Sequence, residues 1–264
     1  MNSAVCQSKT ITLECPKHGE YTGEIIVLDS EMFGKKEFAP KCPYCQDENE
    51  QWHQAMREKL DKQLQIEKWR SMNIEPRYYS STFDNFDAYN AELVKNFEMC
   101  RAFAAKPEGK LVMIGDNGNG KTHLAVSVLK KVNGVMFTAY EIGIKLRQSY
   151  NGDKKEWEIM DELCTVPLLI IDEVEKIKDS EAKQNWMSYV VGKRYDRLLP
   201  LILIANCHLG RDCKEVKKPC PKCLEDHLED DILSRVIEDG HVLKFSSDDY
   251  RRKIRKSKLS LSAG

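Results

Sequence analysis

Gly115-Asp-Asn117-Gly118-Asn119-Gly120-Lys121-Thr122 follows the apolar run Leu111-Val-Met-Ile114 and opens an apolar helical stretch. The spacing is G-x-x-x-x-G-K-[ST] between a strand and a helix, and its chemistry is phosphate binding. The glycines let backbone amides curl around phosphate oxygens, while the free N–H groups and dipole of the following helix add to the field. In that setting Lys121 bridges β- and γ-phosphates and Thr122 holds magnesium. Farther on, Leu168-Leu-Ile-Ile171-Asp172-Glu173 is a buried strand ending in two carboxylates. Ligands of an open α/β sheet sit at the carboxyl ends of its strands, so both acids face the phosphate loop. Asp172 is then the ligand of hydrated magnesium, and Glu173 the group that orients and deprotonates a water. Together they describe hydrolysis of ATP with Mg2+.

Two more side chains join this set. The strand Leu201-Ile-Leu-Ile-Ala205 delivers Asn206 to the same edge, where an uncharged amide can touch both a γ-phosphate and the lytic water. Asp231-Ile-Leu-Ser-Arg235 places an arginine on a short helix before the last strand. Its permanently protonated fork suits transition-state charge and can be supplied by a neighbouring subunit. Without the surrounding pattern, Arg235 reads as a surface salt bridge.

The other chemistry lies in the cysteines, of which there are ten. Cys15-Pro-Lys-His18 and Cys42-Pro-Tyr-Cys45 form two knuckles, and four such ligands make a closed tetrahedral zinc site. The competing reading is two surface turns with incidental thiols. Cys213, Cys220, Cys223 and His227 offer a second zinc-like set, inside a segment, 207–227, that breaks the pattern around it. Cys207 or His208 can replace one of those ligands, and an ordinary loop is the alternative.

These residues need elements to hold them. Short apolar runs at 111–114, 135–138, 168–171, 201–205 and 242–245 alternate with amphipathic stretches at about 88–105, 122–132, 140–150, 155–163, 180–197 and 230–236. Such alternation predicts βαβ units, and so an α/β fold with a parallel sheet covered by helices. Before it, residues 1–46 read as a zinc-binding module with a strand at 24–28, too small to hold a core unaided. Residues 47–75 read as a helical linker with Trp52, Met56, Leu60 and Leu64 on one face. That stripe either lies on its own domain or docks on a partner protein. The ATPase domain then spans 76–264, with 207–227 as an insertion.

Composition narrows the class. The 41 Lys and Arg balance 42 Asp and Glu to a net charge of -1, so any nucleic-acid site is a local patch and not a global field. The apolar stretch 198–207 is far below the roughly 18 residues of a spanning helix, and the start lacks a signal-peptide pattern. No membrane role and a cytoplasmic location are expected, with clustered thiols in a reducing compartment acting as metal ligands.

The combination of Gly115–Ala125, Leu168–Glu173, Leu203–Asn206 and the tail from Leu233-Ser-Arg235 to Tyr250-Arg251 resembles the AAA+ ATPases of the DnaC-type helicase loader group, which is similar to the IstB transposition helpers. The segment from Met72 to Phe86 resembles the entry to such domains. The resemblance implies Asn206 as sensor 1, Arg235 as the trans-acting finger and Arg251 as a sensor 2 residue. It also implies an ATP-dependent homo-oligomer, a DnaB-family replicative helicase as client, bound through the N-terminal region, and single-stranded DNA in the channel. The short stretch after Arg235 predicts a reduced lid. For DNA the residues offer Tyr150 with Lys145 and Arg147, the loop lysines Lys176, Lys178 and Lys183, and the basic run 251–258, each equally readable as a solvated face. The expected function is loading of the helicase onto single-stranded DNA at replication initiation. The alternatives are a transposition helper on duplex DNA and an adaptor for which ATP is mainly a structural ligand.

Overall fold

The computed structural model describes residues 5–30, 34–149, 155–176, 181–213, 223–246 and 250. The chain separates into two compact units, Met1–Ile66 and Glu67–Gly264.

The first unit is an antiparallel meander of β1 (Val5–Cys15), β2 (Gly19–Ser30) and β3 (Gly34–Phe38), followed by the start of a long helix, α1 (Pro43–Ser71). Period-2 alternation puts Ile11 and Leu13 opposite Gly23 and Tyr21 on one half-buried face. Pro40 lies across that face, close enough to Gly23 that an added Cβ would sit 2.5 Å from its ring, and Tyr21 donates to the Pro40 carbonyl at 2.8 Å. Among the described residues of this unit only Cys15 and Cys42 are buried. The strand expected at 24–28 is thus one part of a larger sheet.

The second unit carries α2 (Ala91–Ala105), β4 (Lys110–Gly115), α3 (Lys121–Val132), β5 (Val135–Thr138), α4 (Ala139–Ser149), α5 (Glu156–Thr165), β6 (Leu169–Asp172), α6 (Glu181–Asp196), β7 (Leu201–Ala205), α7 (Asp230–Glu238) and β8 (Gly240–Phe245). Its five strands pair in parallel in the order β5-β6-β7-β4-β8. Strands β4 to β7 are buried on both sides, because alternate residues enter two separate cores, whereas the edge strand β8 buries only Leu243 and Phe245, on one side. Val112, Ile114, Leu201 and Leu203 face the layer of α4 to α7, while Leu111, Met113, Ile202 and Ile204 face α2 and α3. The expected α/β fold with a covered parallel sheet is present, and every expected strand and helix of this unit appears within a few residues. Strand β4 lies between β7 and β8, both later in the chain, so the crevice beyond its carboxyl end is where a ligand fits.

Candidate nucleotide site and metal centres

The loop after β4 is built on constraints that glycine alone meets. Gly115 has φ +136°, and a Cβ there would lie 2.1 Å from the Phe245 carbonyl oxygen; at Gly120, φ is +95° and Phe86 fills the space a side chain would need. Asn119 donates to the Phe245 carbonyl at 2.6 Å and ties the loop to β8. Tyr250 donates its backbone N–H to the Gly118 carbonyl at 2.9 Å. Lys121 is buried and donates to the carbonyls of Gly115 and Asp116 at 2.7 and 2.6 Å and to Asn119 Oδ1 at 3.0 Å. Burial lowers its pKa to about 8, against the opposing pull of Asp172 and Glu175.

Thr122 donates its hydroxyl to Asp172 Oδ2 at 3.0 Å, so the two side chains that could share a magnesium ion already meet. Burial raises the Asp172 carboxyl to about 6, although it accepts hydrogen bonds from the Glu173 backbone and Thr122. Glu173 sits at φ +56°, a left-handed conformation uncommon outside glycine, which turns its side chain out of the β6 direction. Its carboxylate accepts from Lys176 at 2.7 Å. Gly118, Asn119, Lys121, Thr122, Asp172, Glu173 and Asn206 all line one cleft of about 720 Å³. Asn117 and Gly120 line it too. His123 is half-buried and lines the same cleft, and its Nε2 lies 2.8 Å from the Thr82 carbonyl oxygen.

Sequence reasoning missed Glu175. Its carboxylate accepts from both the backbone N–H and the side-chain amide of Asn206, at 3.1 and 2.7 Å, and so fixes which way that amide points. The signal was a third acid just beyond the pair, in Asp172-Glu173-Val-Glu175. Arg235 does not line this cleft; it donates to Asp231 at 2.7 Å on α7, and Ser188 donates to the same carboxylate. Of the DNA candidates, Lys176 is engaged by Glu173, Lys145 lies over the Phe137 ring at 4.9 Å, and Arg147 is exposed. Arg251, Tyr150, Lys178 and the run 251–258 lie outside the described residues, as does the side chain of Lys183.

A family model described as IstB-like ATP binding protein matches residues 47–258. The chain belongs to this family. It is 22% identical over 157 residues to the uncharacterized protein YdaV of Escherichia coli strain K12, covering 55% of this chain and 62% of that protein. A DnaC helicase loader crystal structure superposes with a TM-score of 0.56 at 23% identity, over 65% of this chain and 100% of the other. The replication initiator DnaA bound to AMPPCP and single-stranded DNA gives 0.54 at 20%, over 70% and 55%; DnaI gives 0.51 at 16%, over 67% and 93%. These likenesses show a shared AAA+ fold. The family is one of ATP-binding proteins, and the loop after β4 is the candidate nucleotide site of this chain.

This IstB-like chain also carries the two Cys/His groups. In the first, Cys15, His18, Cys42 and Cys45 converge, with Sγ to Nδ1 or Sγ separations of 3.7, 3.6, 3.7 and 3.2 Å. A tetrahedral zinc with bonds of about 2.0–2.3 Å puts its sulfur and nitrogen ligands about 3.5–3.8 Å apart; three of the four separations fall in that range and the Cys45–His18 one is shorter, so the set can close on the ion with a small adjustment there. The backbone N–H groups of Lys17 and His18 lower the Cys15 thiol to about 6, while the adjacent Cys15 raises the Cys45 thiol to about 11, so without an ion the cluster favours one thiolate at Cys15 beside a protonated Cys45. Glu48 lies 3.2 Å from His18 Nε2 and also pairs with Lys17, an outer carboxylate that orients the ring. The second group differs from the expected one. Among the described residues His208, Cys213 and Cys223 converge; His227 is not in the group, and Cys220 lies outside the described residues. Cys223 forms an isolated parallel bridge with His208, which brings that histidine to the thiol, whereas His227 leaves by the helical turn that follows.

Proposed function

We propose that this protein is a Mg2+-dependent ATPase that loads a DnaB-family replicative helicase onto single-stranded DNA in the cytoplasm. The observation that carries the ATPase reading is the convergence of Lys121, the Thr122–Asp172 pair, Glu173 and Asn206 on one cleft. Lys121, Gly115, Asn117, Gly118, Asn119 and Gly120 would hold the phosphates, with Lys121 exchanging loop carbonyls for phosphate oxygens. Magnesium, held by Thr122 and Asp172, would neutralise charge between the β- and γ-phosphates. Glu173 would leave Lys176, orient a water and take its proton as the water oxygen bonds to the γ-phosphorus and the bond to the β-phosphate oxygen breaks. Asn206 would touch the γ-phosphate and that water. Arg235, outside its own cleft, would act in a neighbour's cleft within an ATP-dependent homo-oligomer, and Arg251 would act as sensor 2.

The loader reading rests on a unit separate from the ATPase core. Its zinc module and the exposed stripe Trp52, Met56, Leu60 and Leu64 of α1 would form the helicase-docking head. Size-exclusion chromatography of the protein with its host's replicative helicase, with and without ATP, tests this. Co-elution that is lost on deleting residues 1–66, which leaves the core residues Met72 and Ile74 in place, supports it; co-elution of that truncated chain moves docking elsewhere. ATP-dependent assembly on duplex DNA without helicase binding would favour a transposition helper, a reading kept open by the family model. Glu173→Gln should retain ATP and the oligomer while lowering turnover roughly 10²- to 10⁴-fold. Unchanged turnover would leave the adaptor reading.

A further inference from the structure

Immediately beyond Asn206 the chain enters a second metal-competent constellation whose ligands differ from those the spacing suggested. We propose that His208, Cys213 and Cys223 hold a zinc ion that staples the exit of β7 to the lead-in of α7. Their ligand atoms all lie within 4.8 Å of one another, and His208 Nε2 is 3.4 Å from Cys223 Sγ. Zn–N and Zn–S bonds of about 2.0 and 2.3 Å at a tetrahedral angle put such a nitrogen and sulfur about 3.5 Å apart. Two thiolates and an imidazole select a borderline-soft ion over magnesium or calcium, which prefer carboxylates and water. Three protein ligands leave one vertex of the tetrahedron to a further donor.

The surroundings are those of a fixed site. Cys223 is fully buried, and the residues on either side of the ligands enter the main core: Cys207, Leu209, Leu224 and Leu228. The Leu224 backbone donates to the His208 carbonyl at 2.9 Å, and the Gly210 N–H donates to the Glu225 carboxylate at 2.7 Å. Lys244 on β8 pairs with Asp212 at 2.5 Å. The first two contacts join the segment that follows β7 to the one that leads into the Arg235 helix, and the third ties the former to β8. An ion at their crossing point holds the γ-phosphate-sensing amide of one cleft in register with the arginine offered to the next. That coupling rests on the proposed ATPase reading; the metal site does not.

Elemental analysis of the full-length protein tests the site. Two zinc ions per chain are expected in the wild type, one in Cys213→Ser and in His208→Ala, and two in His227→Ala. In Cys15→Ser/Cys42→Ser one ion should remain, and cobalt loaded into that variant should give thiolate charge-transfer bands that Cys213→Ser removes. Cys213 and His208 are only half-buried, so these variants avoid the core position of Cys223. One zinc per chain in the wild type, lost with Cys15 and Cys42, overturns the proposal, as does a stoichiometry unmoved by His208→Ala. A Cys213–Cys223 disulfide found by mass spectrometry without reductant, and no second zinc under reducing conditions, overturns it too. If the site stands, Cys213→Ser should also increase amide exchange in 207–213 and 223–228; if ATP turnover is unchanged while the ion is lost, only the coupling fails.

Discussion

The two units hold their shape by different means. In the ATPase unit, strand residues such as Leu111, Ile170, Ile202 and Ile204 are fully removed from solvent, and two apolar layers clamp the sheet. In the N-terminal unit only Cys15 and Cys42 are buried among the described residues, and Ile26 stands 45% exposed in the middle of its strand. Apolar burial at about 25 cal/mol per Å² can stabilise the first and not the second. Sheets of this size commonly need a covalent or metal staple, and the two residues buried here among the described ones are two of the four converging ligands. The difference sets a core-stabilised ATP-binding unit beside a small sheet that a metal at its converging ligands would stabilise, and on that reading each should fail separately.

Metal removal is the strongest blow to that contrast. Structural zinc contributes about 10–16 kcal/mol in small zinc-dependent peptides. Chelation, or Cys42→Ser, should therefore abolish amide protection across β1 to β3 while leaving β4, β6 and β7 protected, read by hydrogen exchange with mass spectrometry. Strands β1 to β3 that stay protected without metal would mean the head has a core of its own.

The converse lesion lies in β7. Leu203 is 1% exposed and central in the layer beneath α4 to α7, so Leu203→Ala should cost about 2–5 kcal/mol through lost burial and a cavity. The urea midpoint of the ATPase unit should fall accordingly, with no change in zinc bound by the N-terminal group. A loss below about 1 kcal/mol would show that this core relaxes around the gap and is less rigid than its burial implies.

A smaller effect is expected at Glu175, which the structure alone exposes. Removing its carboxylate in Glu175→Ala frees the Asn206 amide and backbone N–H that it accepts from. Hydrogen bonds to a charged group contribute about 1.5–3 kcal/mol, so turnover should drop roughly 10- to 100-fold with ATP affinity little changed. Glu175→Gln keeps one acceptor and should recover part of the rate. Equal losses in both variants would place Glu175's role in charge and not in aiming Asn206.

How far the sequence could be read follows the same division. Strands β4 to β7 announce themselves as apolar runs because both faces are buried, and the phosphate loop follows its strand with fixed spacing, so these strands and Lys121, Thr122, Asp172 and Glu173 are legible; β8, with one buried face, shows only as the short stretch Val242 to Phe245. Contacts between segments distant in the chain are not legible. Nothing in spacing places Glu175 against Asn206, since that depends on a turn after β6 reaching the end of β7. Nor could spacing choose His208 over His227: a parallel bridge to Cys223 decides it, and such pairing is set by tertiary packing. In the N-terminal unit the half-buried alternation of β1 is weak, so one strand was expected where three pair.

The smallest effect on stability separates the readings of α1. This helix has no buried residue from Pro43 to Ser71, yet its body is rich in Gln, Glu, Lys, Leu and Met, strong helix formers, with Lys68 and Arg70 in the last turn opposing the dipole. Trp52, Met56, Leu60 and Leu64 are 57, 48, 53 and 54% exposed, so removing two of them takes away little packing. Trp52→Ala with Leu60→Ala should shift folding stability by no more than about 0.5 kcal/mol, the range of surface substitutions. If the stripe is the docking face, the same pair should end co-elution with the helicase, because buried aromatic and aliphatic anchors carry most of a protein interface's energy. A stability loss of several kcal/mol would instead mean that the stripe packs on its own protein in solution. Intact co-elution at unchanged stability would move the helicase contact to β1 to β3 and leave α1 as a spacer whose apolar face has no docking role.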